Sequence, residues 1–418
     1  MNKVRVGVLG ARRGMSMIEY CKSAYNAEVV AVCDKAPYEL DKVKDFCREQ
    51  PVELFDNFDE FIKCDMDAVV LANYAHEHAP FAVRAMNEGK HVFSEVLPVQ
   101  TMSQAVELVE TVERTGMIYA YGENYCYMAA PREMKKLYSQ GIIGNFEYGE
   151  GEYLHNCEPI WHEITYGEKD HWRNNMYSTF YCTHSLGPII HITGLRPVAV
   201  TGFESFNNQR RMNGGSRAAQ FGIEMVTLEN GALIKSIHGG LYKGNISYVL
   251  YGSKGRMESA RHDSGQGDQN RIYINVDDFE GQYKEEKIVT YLPDERENNS
   301  LASDFGHGGS DFYSMYYFIE KILGNESADI IDVYEALDMC LPGMFAFRSV
   351  LNEGKQMKIP NLRDKNEREK WRNDTACTDP SVAGDMLLPT RRGGTPDIPD
   401  EIYDNMKKKW DRFLSERK

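Results

Sequence analysis

A tyrosine and a histidine stand three residues apart in Tyr181-Cys182-Thr183-His184-Ser185-Leu186-Gly187-Pro188. Phenol and imidazole both move protons, and positions three apart on a helical turn share a face. Imidazole titrates near neutrality, which suits His184 to a hydroxyl proton. A phenol with its ordinary pKa of about 10 needs positive charge nearby before it serves as a base. The pair lies just ahead of Leu186-Gly187-Pro188, which reads as a break in local structure. Its flank is crowded with His155, Trp161, His162, His171, Trp172 and Arg173. Rings that cover apolar sugar faces and polar heads that meet hydroxyls would make a sugar pocket of such a segment; loop packing is the plainer alternative. His155, Trp172 and Arg173 are the candidate substrate contacts, and Arg173, Arg210 and Arg211 leave room for an anionic substrate. The spacing of His155, His162 and His171 fits no compact ligand set, so no metal is expected.

A second set of groups lies far upstream. Gly7-Val8-Leu9-Gly10-Ala11-Arg12-Arg13-Gly14 follows a short apolar strand pattern and opens a helical one. Glycines there permit a tight turn and close approach of backbone N–H groups to a pyrophosphate, with the helix dipole adding to the attraction. The pattern is imperfect, since Gly14 falls one residue early. Asp34 ends the next strand about twenty residues on, where a carboxylate accepts bonds from ribose hydroxyls and repels a 2′-phosphate. NAD is therefore favoured over NADP, with Gly10, Arg12, Arg13, Gly14 and Asp34 as cofactor residues. Arg12 and Arg13 also suit a 2′-phosphate, which pulls the other way.

These groups need elements to hold them. Val4–Leu9, Val29–Cys33, Ala68–Leu71, His91–Ser94 and Met117–Tyr121 read as strands alternating with helices, a doubly wound parallel sheet. After a helix over Ala130–Gln140, longer aromatic-rich strands follow at Phe146–Leu154, Val198–Phe206, Phe221–Leu228, Ala232–His238, Ile246–Tyr251, Arg271–Val276 and Lys287–Tyr291. Glu229-Asn230-Gly231 is a hairpin signal. The expected fold is thus an α/β Rossmann domain over 1–122 and an α+β domain over 123–352 with a large, open-faced, mostly antiparallel sheet. Residues 156–197 form an insertion in it. Residues 353–418 read as a loop-rich extension closed by an amphipathic helix near Glu401–Glu416.

The 418 residues carry a formal charge of -15, with 42% hydrophobic and 27% charged residues. That balance argues against nucleic acid or an anionic membrane as a partner. No apolar run approaches the roughly 20 residues of a membrane span. Nine scattered cysteines and a start without an apolar signal core fit reduced thiols and a cytoplasmic location.

Gly89-Lys90-His91-Val92-Phe93-Ser94-Glu95-Val96-Leu97-Pro98 and His78-Ala79-Pro80 resemble segments of the Gfo/Idh/MocA oxidoreductase family, over roughly residues 1–350. The family's catalytic Lys falls here on Val96, and the Asp four residues before its active-site His on Phe180. One branch, the NAD-dependent glycosidases resembling bacterial α-N-acetylgalactosaminidase, shares these departures. Its Glu-Val-Pro is similar to Glu95-Val96-Leu97-Pro98, its Glu-Asn-x-Cys-Tyr to Glu123–Tyr127, its Tyr-Pro-Thr-His-Gly-Leu-Gly-Pro to Tyr181–Pro188, and its His-Gly-Gly-Met-Asp-Phe to His307–Phe312.

The resemblance implies a tightly held NAD that is recycled in each turnover, contacted also by Asn73, His78, Glu95 and Asn124. It implies Tyr181, His184, Tyr127 and Glu95 as catalytic groups, with His307 near substrate. Transient oxidation at sugar C3 acidifies the C2 proton; the aglycone then leaves C1, water adds, and the carbonyl is reduced again. The partner is a small glycoside or sugar, and the assembly a homodimer or homotetramer through the C-terminal sheet. A sugar or cyclitol dehydrogenase, a 3-keto-sugar oxidoreductase, and an NAD-binding protein without catalysis are the alternatives.

Overall fold

The computed structural model describes residues 3–50, 52–206, 209–259, 261, 270–277, 286–293, 302 and 305–416. The chain divides into two compact units. The first comprises residues 1–129, 294–337 and 362–374, the second 130–293, 338–361 and 375–418. The sequence suggested single divisions after 122 and 352; instead the chain returns to the first unit twice after leaving it.

Among the described residues the first unit holds one sheet of six strands: β1 (Val4–Leu9), β2 (Ala27–Cys33), β3 (Glu53–Phe55), β4 (Ala68–Leu71), β5 (His91–Ser94) and β6 (Tyr119–Tyr121). Their order is β3-β2-β1-β4-β5-β6, and every pairing is parallel. Helices over Ala11–Ser23, His78–Asn87 and Met102–Thr115 join them. Strands such as β4 are apolar throughout and buried throughout, as a sheet covered on both faces requires. The order reverses between β1 and β4, the place where such sheets bind ligands at their carboxyl ends. Register aligns those ends: Leu9 pairs with both Cys33 and Leu71, and Leu71 with Ser94. Gly10, Asp34, Ala72 and Glu95 follow directly and so share one edge.

The second unit holds one sheet of nine strands among the described residues. They are β7 (Phe146–Leu154), β8 (Pro197–Glu204), β9 (Phe221–Leu228), β10 (Leu233–Gly239), β11 (Asn245–Gly252), β12 (Gly255–Ser259), β13 (Ile272–Asp277), β14 (Glu286–Tyr291) and β15 (Met357–Lys358). The order is β14-β13-β12-β11-β7-β10-β9-β8-β15. Only β7 with β10 is parallel among these pairings. In β9, Gly222, Glu224, Val226 and Leu228 are buried while the residues between them are half-exposed, so one face is covered. Short β12 and β15 are strands that sequence pattern did not suggest.

The covering element is a helix over Cys182–Thr193, buried at every position from Cys182 to Ile192. Leu186-Gly187-Pro188 therefore lies inside a helix and is not the break its composition suggested. Proline at 188 has no N–H for the carbonyl four residues back, that of His184. The Tyr248 hydroxyl on β11 donates to that carbonyl at 2.7 Å and takes the missing amide's place. Ser185 Oγ and Ser236 Oγ on β10 are 2.8 Å apart. On β7, a Cβ at Gly151 would stand 1.8 Å from the Ser185 carbonyl oxygen, so only glycine admits the helix this close. The Asp400–Ser415 helix buries Tyr403, Met406 and Trp410 along one stripe, as the amphipathic pattern predicts. Among the described residues, no helix is long and apolar enough to cross a membrane.

Candidate active site

The first unit concentrates its polar groups at the carboxyl edge of its sheet. Gly10 has φ 93°, and a Cβ there would stand 2.5 Å from the Ala72 backbone, so the β1 turn closes against the end of β4 only through glycine. A Cβ at Gly14 would meet Val8 Cγ1 at 2.4 Å, so this glycine seats the Ala11–Ser23 helix on β1. The Asp34 carboxylate accepts from the Ala11 N–H at 2.7 Å and the Ala36 N–H at 2.8 Å. Burial pushes its pKa up, and those two donors work against the rise. Each oxygen keeps a further lone pair, which suits ribose hydroxyls. Asn73 donates to Glu77 at 2.9 Å, while its side-chain oxygen is buried without a partner. A glycine cradle, a strand-end carboxylate and an orphaned acceptor on one edge fit an adenine dinucleotide.

His78 is buried, with Nδ1 2.8 Å from the Leu97 carbonyl and Nε2 3.3 Å from that of Asn73. Burial lowers its pKa to about 4, so the ring is neutral at physiological pH and ties two loops together.

Four motifs that are far apart in sequence meet in a single network beside this edge. Arg13 donates to both oxygens of Asp311, at 2.9 and 2.8 Å, and its Nη2 lies 2.7 Å from Glu95 Oε1. Asn124 donates to Asp311 at 3.0 Å, and His307 Nδ1 is 3.0 Å from the other oxygen. Asp311 is buried, yet the hydrogen bonds from His307 and Arg13 hold its carboxyl well below the usual range. Glu95 shifts oppositely: burial pushes it up, Arg13 pulls it back, and negative Asp311 adds to the rise. Two carboxylates share one guanidinium, and the environment drives their acidities apart. Arg13 and His307 are thus engaged within the protein. The carboxylate that organises both, Asp311, entered the sequence reading only as part of the His307–Phe312 match, with no role of its own.

Tyr127 sits elsewhere. Its hydroxyl donates to the Asp329 carbonyl at 2.8 Å, and burial raises its pKa well above 10. The phenol is packed against Tyr317 at 5.7 Å and is poorly placed to gain or lose a proton.

In the second unit, Tyr181 caps the amino end of the Cys182–Thr193 helix and His184 lies in its first turn. Their rings stack at 5.5 Å with 7° between planes. The Tyr181 oxygen accepts from Arg173 Nη1 at 2.7 Å, and that guanidinium also lies 4.4 Å above the Trp172 ring. A cation donating to a phenol oxygen stabilises negative charge there. Tyr153 on β7 packs 4.6 Å from the His184 ring, and its hydroxyl is 3.0 Å from His155 Nδ1. The same nitrogen is 3.6 Å from Cys157 Sγ. That contact raises His155, while Cys157, pushed up by burial, is brought below its usual value by His155, Arg173 and Arg211. Phe180, at the position of the family's Asp, packs among Trp172, Tyr177 and Tyr181. Tyr181, His184, Arg173, Trp172 and His155 therefore form one cluster. Composition flagged this segment, but Tyr153 and Cys157 went unnoticed because a strand tyrosine and a single thiol carry no motif.

A parallel sheet with a glycine turn and a strand-end acid defines the first unit as a nucleotide-binding Rossmann domain. Residues 4–123 match the oxidoreductase family with an NAD-binding Rossmann fold, and residues 247–372 match the C-terminal domain of glycosyl hydrolase 109. The chain thus carries the Gfo/Idh/MocA domain joined to that C-terminal domain. A glycosyl hydrolase family 109 protein of Solibacter usitatus is 26% identical over 88% of this chain and 89% of its own length. One from Shewanella pealeana is 24% identical over 87% and 86%. Among solved structures, myo-inositol 2-dehydrogenase from Lactobacillus plantarum aligns with TM-score 0.65 at 19% identity, over 86% of this chain and 100% of that one. Scyllo-inositol dehydrogenase from Lactobacillus casei aligns with TM-score 0.66 at 17% identity, over 87% and 100%. These structures share the fold, and the family matches make the chain an NAD-dependent enzyme.

Proposed function

We propose that the chain is an NAD-dependent glycoside hydrolase, working by transient oxidation at sugar C3, elimination between C1 and C2, water addition and re-reduction. The observation that carries this reading is the Arg173–Tyr181–His184 arrangement, joined to the names of the relatives. It places a charge-stabilised phenol oxygen in a stack with an imidazole, two proton carriers where a simple alcohol oxidation needs one. When bound, NAD supplies a hydride acceptor and returns the hydride in the same turnover. Gly10, Asp34 and Asn73 would hold it.

His184 takes the O3 proton and later gives it back. Tyr181, with Arg173 on its oxygen, removes the C2 proton that the C3 carbonyl has made acidic. The C1–O bond breaks, the C1–C2 double bond forms, and the aglycone leaves as its alcohol. Water then adds its oxygen to C1, and C2 regains a proton. Glu95, a buried carboxyl with a raised pKa, holds hydroxyls, and Asp311 keeps Arg13 beside it. Tyr127 is a packing residue in this scheme.

The test is a panel of aryl glycosides incubated in deuterated buffer with and without NAD⁺. The expected result is cleavage that depends on NAD⁺, one deuterium at C2 of the product, and no accumulating absorbance at 340 nm. Cleavage that survives removal of NAD overturns the proposal. Stoichiometric NADH without cleavage makes the chain a sugar or cyclitol dehydrogenase instead.

A further inference from the structure

A small, partly open cleft lies in the second unit, lined by Asn156, Cys157, Trp161, Arg210, Arg211 and Gln220 among others. Its two guanidinium groups differ. Arg210 is neutralised, donating to Glu158 at 2.9 Å and to Asn156 at 3.1 Å. Arg211 has no carboxylate partner among the described residues. Its Nε is sealed from solvent and makes no hydrogen bond. Around it lie Cys157, Arg210, the Trp161 ring at 5.8 Å and Gly240, where an added Cβ would stand 3.2 Å from Arg211 Nη2. A guanidinium does not give up its proton in a protein, so this half-buried charge stays, partly desolvated.

The surroundings do not answer it. His238 on β10 lies near both Arg211 and His184; the Ser178 backbone approaches its ring, but among the described residues neither ring nitrogen has a partner in full hydrogen-bonding geometry. Burial and the Arg211 charge lower its pKa to about 3, so the ring offers a neutral N–H. Against burial, His155, Arg173 and Arg211 bring the Cys157 thiol below its usual value, so positive groups converge on this wall. The wall is continuous with the proton carriers: Arg173 acts on Cys157 and donates to Tyr181, and Tyr153 links His155 to His184.

We propose that this cleft is an oxyanion subsite, in which Arg211 binds an acidic substituent of the sugar that Tyr181 and His184 process. The substituent is a carboxylate, as in a uronate, or a sulfate or phosphate ester; a planar guanidinium pairs with each through two parallel hydrogen bonds. His238 adds a neutral donor, and Trp161 walls the site. This inference rests on the glycosidase reading for the identity of the ligand as a sugar, but not for the binding of the anion.

Iodoacetamide labelling of Cys157 in the full chain, followed by peptide mass spectrometry, reads occupancy without catalysis. Cys64, the other cysteine that is not buried, is the internal reference. Probes are glucuronate, galacturonate, galactose 6-sulfate and glucose 6-phosphate, with galactose and glucose as neutral controls. The acidic sugars are expected to slow labelling of Cys157 and leave Cys64 unchanged. Protection by the uronates alone assigns a carboxylate, and by the esters alone a tetrahedral anion. Arg211→Gln weakens the effective acidic sugar by about ten- to a hundred-fold. Arg211→Lys retains part of the affinity, which separates charge from misfolding if the Gln variant is poorly folded. Equal protection by neutral sugars, or full protection in Arg211→Gln, overturns the subsite. NAD-dependent cleavage of neutral glycosides with no acidic sugar bound removes the subsite and leaves the glycosidase. Acidic sugars bound with no glycoside cleaved does the reverse.

Discussion

The two units treat buried charge in opposite ways. In the first, Arg13, Glu95, Asn124, His307 and Asp311 answer one another, and each ionic group has a partner inside the fold. In the second, half-buried Arg211 has no carboxylate partner among the described residues; both Glu224 oxygens are buried and unpartnered there, and burial alone lifts its pKa well above the carboxylate range. A closed network shapes the protein; an open one waits for something else. On the function proposed above, the first network positions the cofactor edge and the second unit meets the substrate.

The comparison is broken most severely at the proposed proton carriers. Tyr181→Phe keeps the ring stack and removes the phenol oxygen, so turnover is expected to fall by about 10²–10⁴-fold. Deuterium incorporation at C2 should fall with it while NAD⁺ affinity, followed by fluorescence quenching, stays near that of the parent. Loss of NAD⁺ binding together with turnover would place Tyr181 in a structural role.

Asp311→Asn tests the closed network. It leaves Arg13 facing Glu95 alone in a buried place, and breaking a buried pair costs about 3–5 kcal/mol. Urea unfolding should show the loss, and the Asp311→Asn/Arg13→Met double variant should recover part of it. A single variant as stable as the parent would show that the network carries no structural weight.

The smallest effect comes from the neutral histidines, one in each unit. His78 has its pKa lowered to about 4 and His238 to about 3, both from 6.5, because burial disfavours the charged ring. The unfolded chain takes up protons first, so the stability tied to each ring is complete above pH 6.5 and is lost as pH falls toward the folded value. Over pH 6.5 to 4 this amounts to about 3 kcal/mol per histidine. The urea midpoint should fall over that range, and His238→Leu should flatten the decline with little loss at pH 7.5. His78→Leu should flatten it too, but at a cost, since it abandons the Leu97 and Asn73 carbonyls. A midpoint constant from pH 7.5 to 4 would contradict both shifts.

Much of this was legible in the sequence. Strand after strand follows its apolar run: Val4–Leu9, Ala68–Leu71 and Phe221–Leu228 stand where the pattern put them. Gly10 and Asp34 were legible because a glycine turn and a strand-end acid act locally. Pro188 was misread, because its missing amide is compensated by Tyr248, sixty residues away in another strand. Asp311 was overlooked as a site residue for a similar reason: Arg13 lies nearly three hundred positions upstream, and neither residue announces the other.

Pattern and short motifs in the sequence pointed to the sheets and the dinucleotide edge and singled out Tyr181 and His184 as candidates, since backbone pattern and side-chain chemistry are properties of short stretches. Which charges are answered and which are left open was decided only by the folded chain. Burial and partnership depend on residues brought together from distant segments, and those two quantities separate Asp311, held ionised, from Arg211, which has no counterion among the described residues.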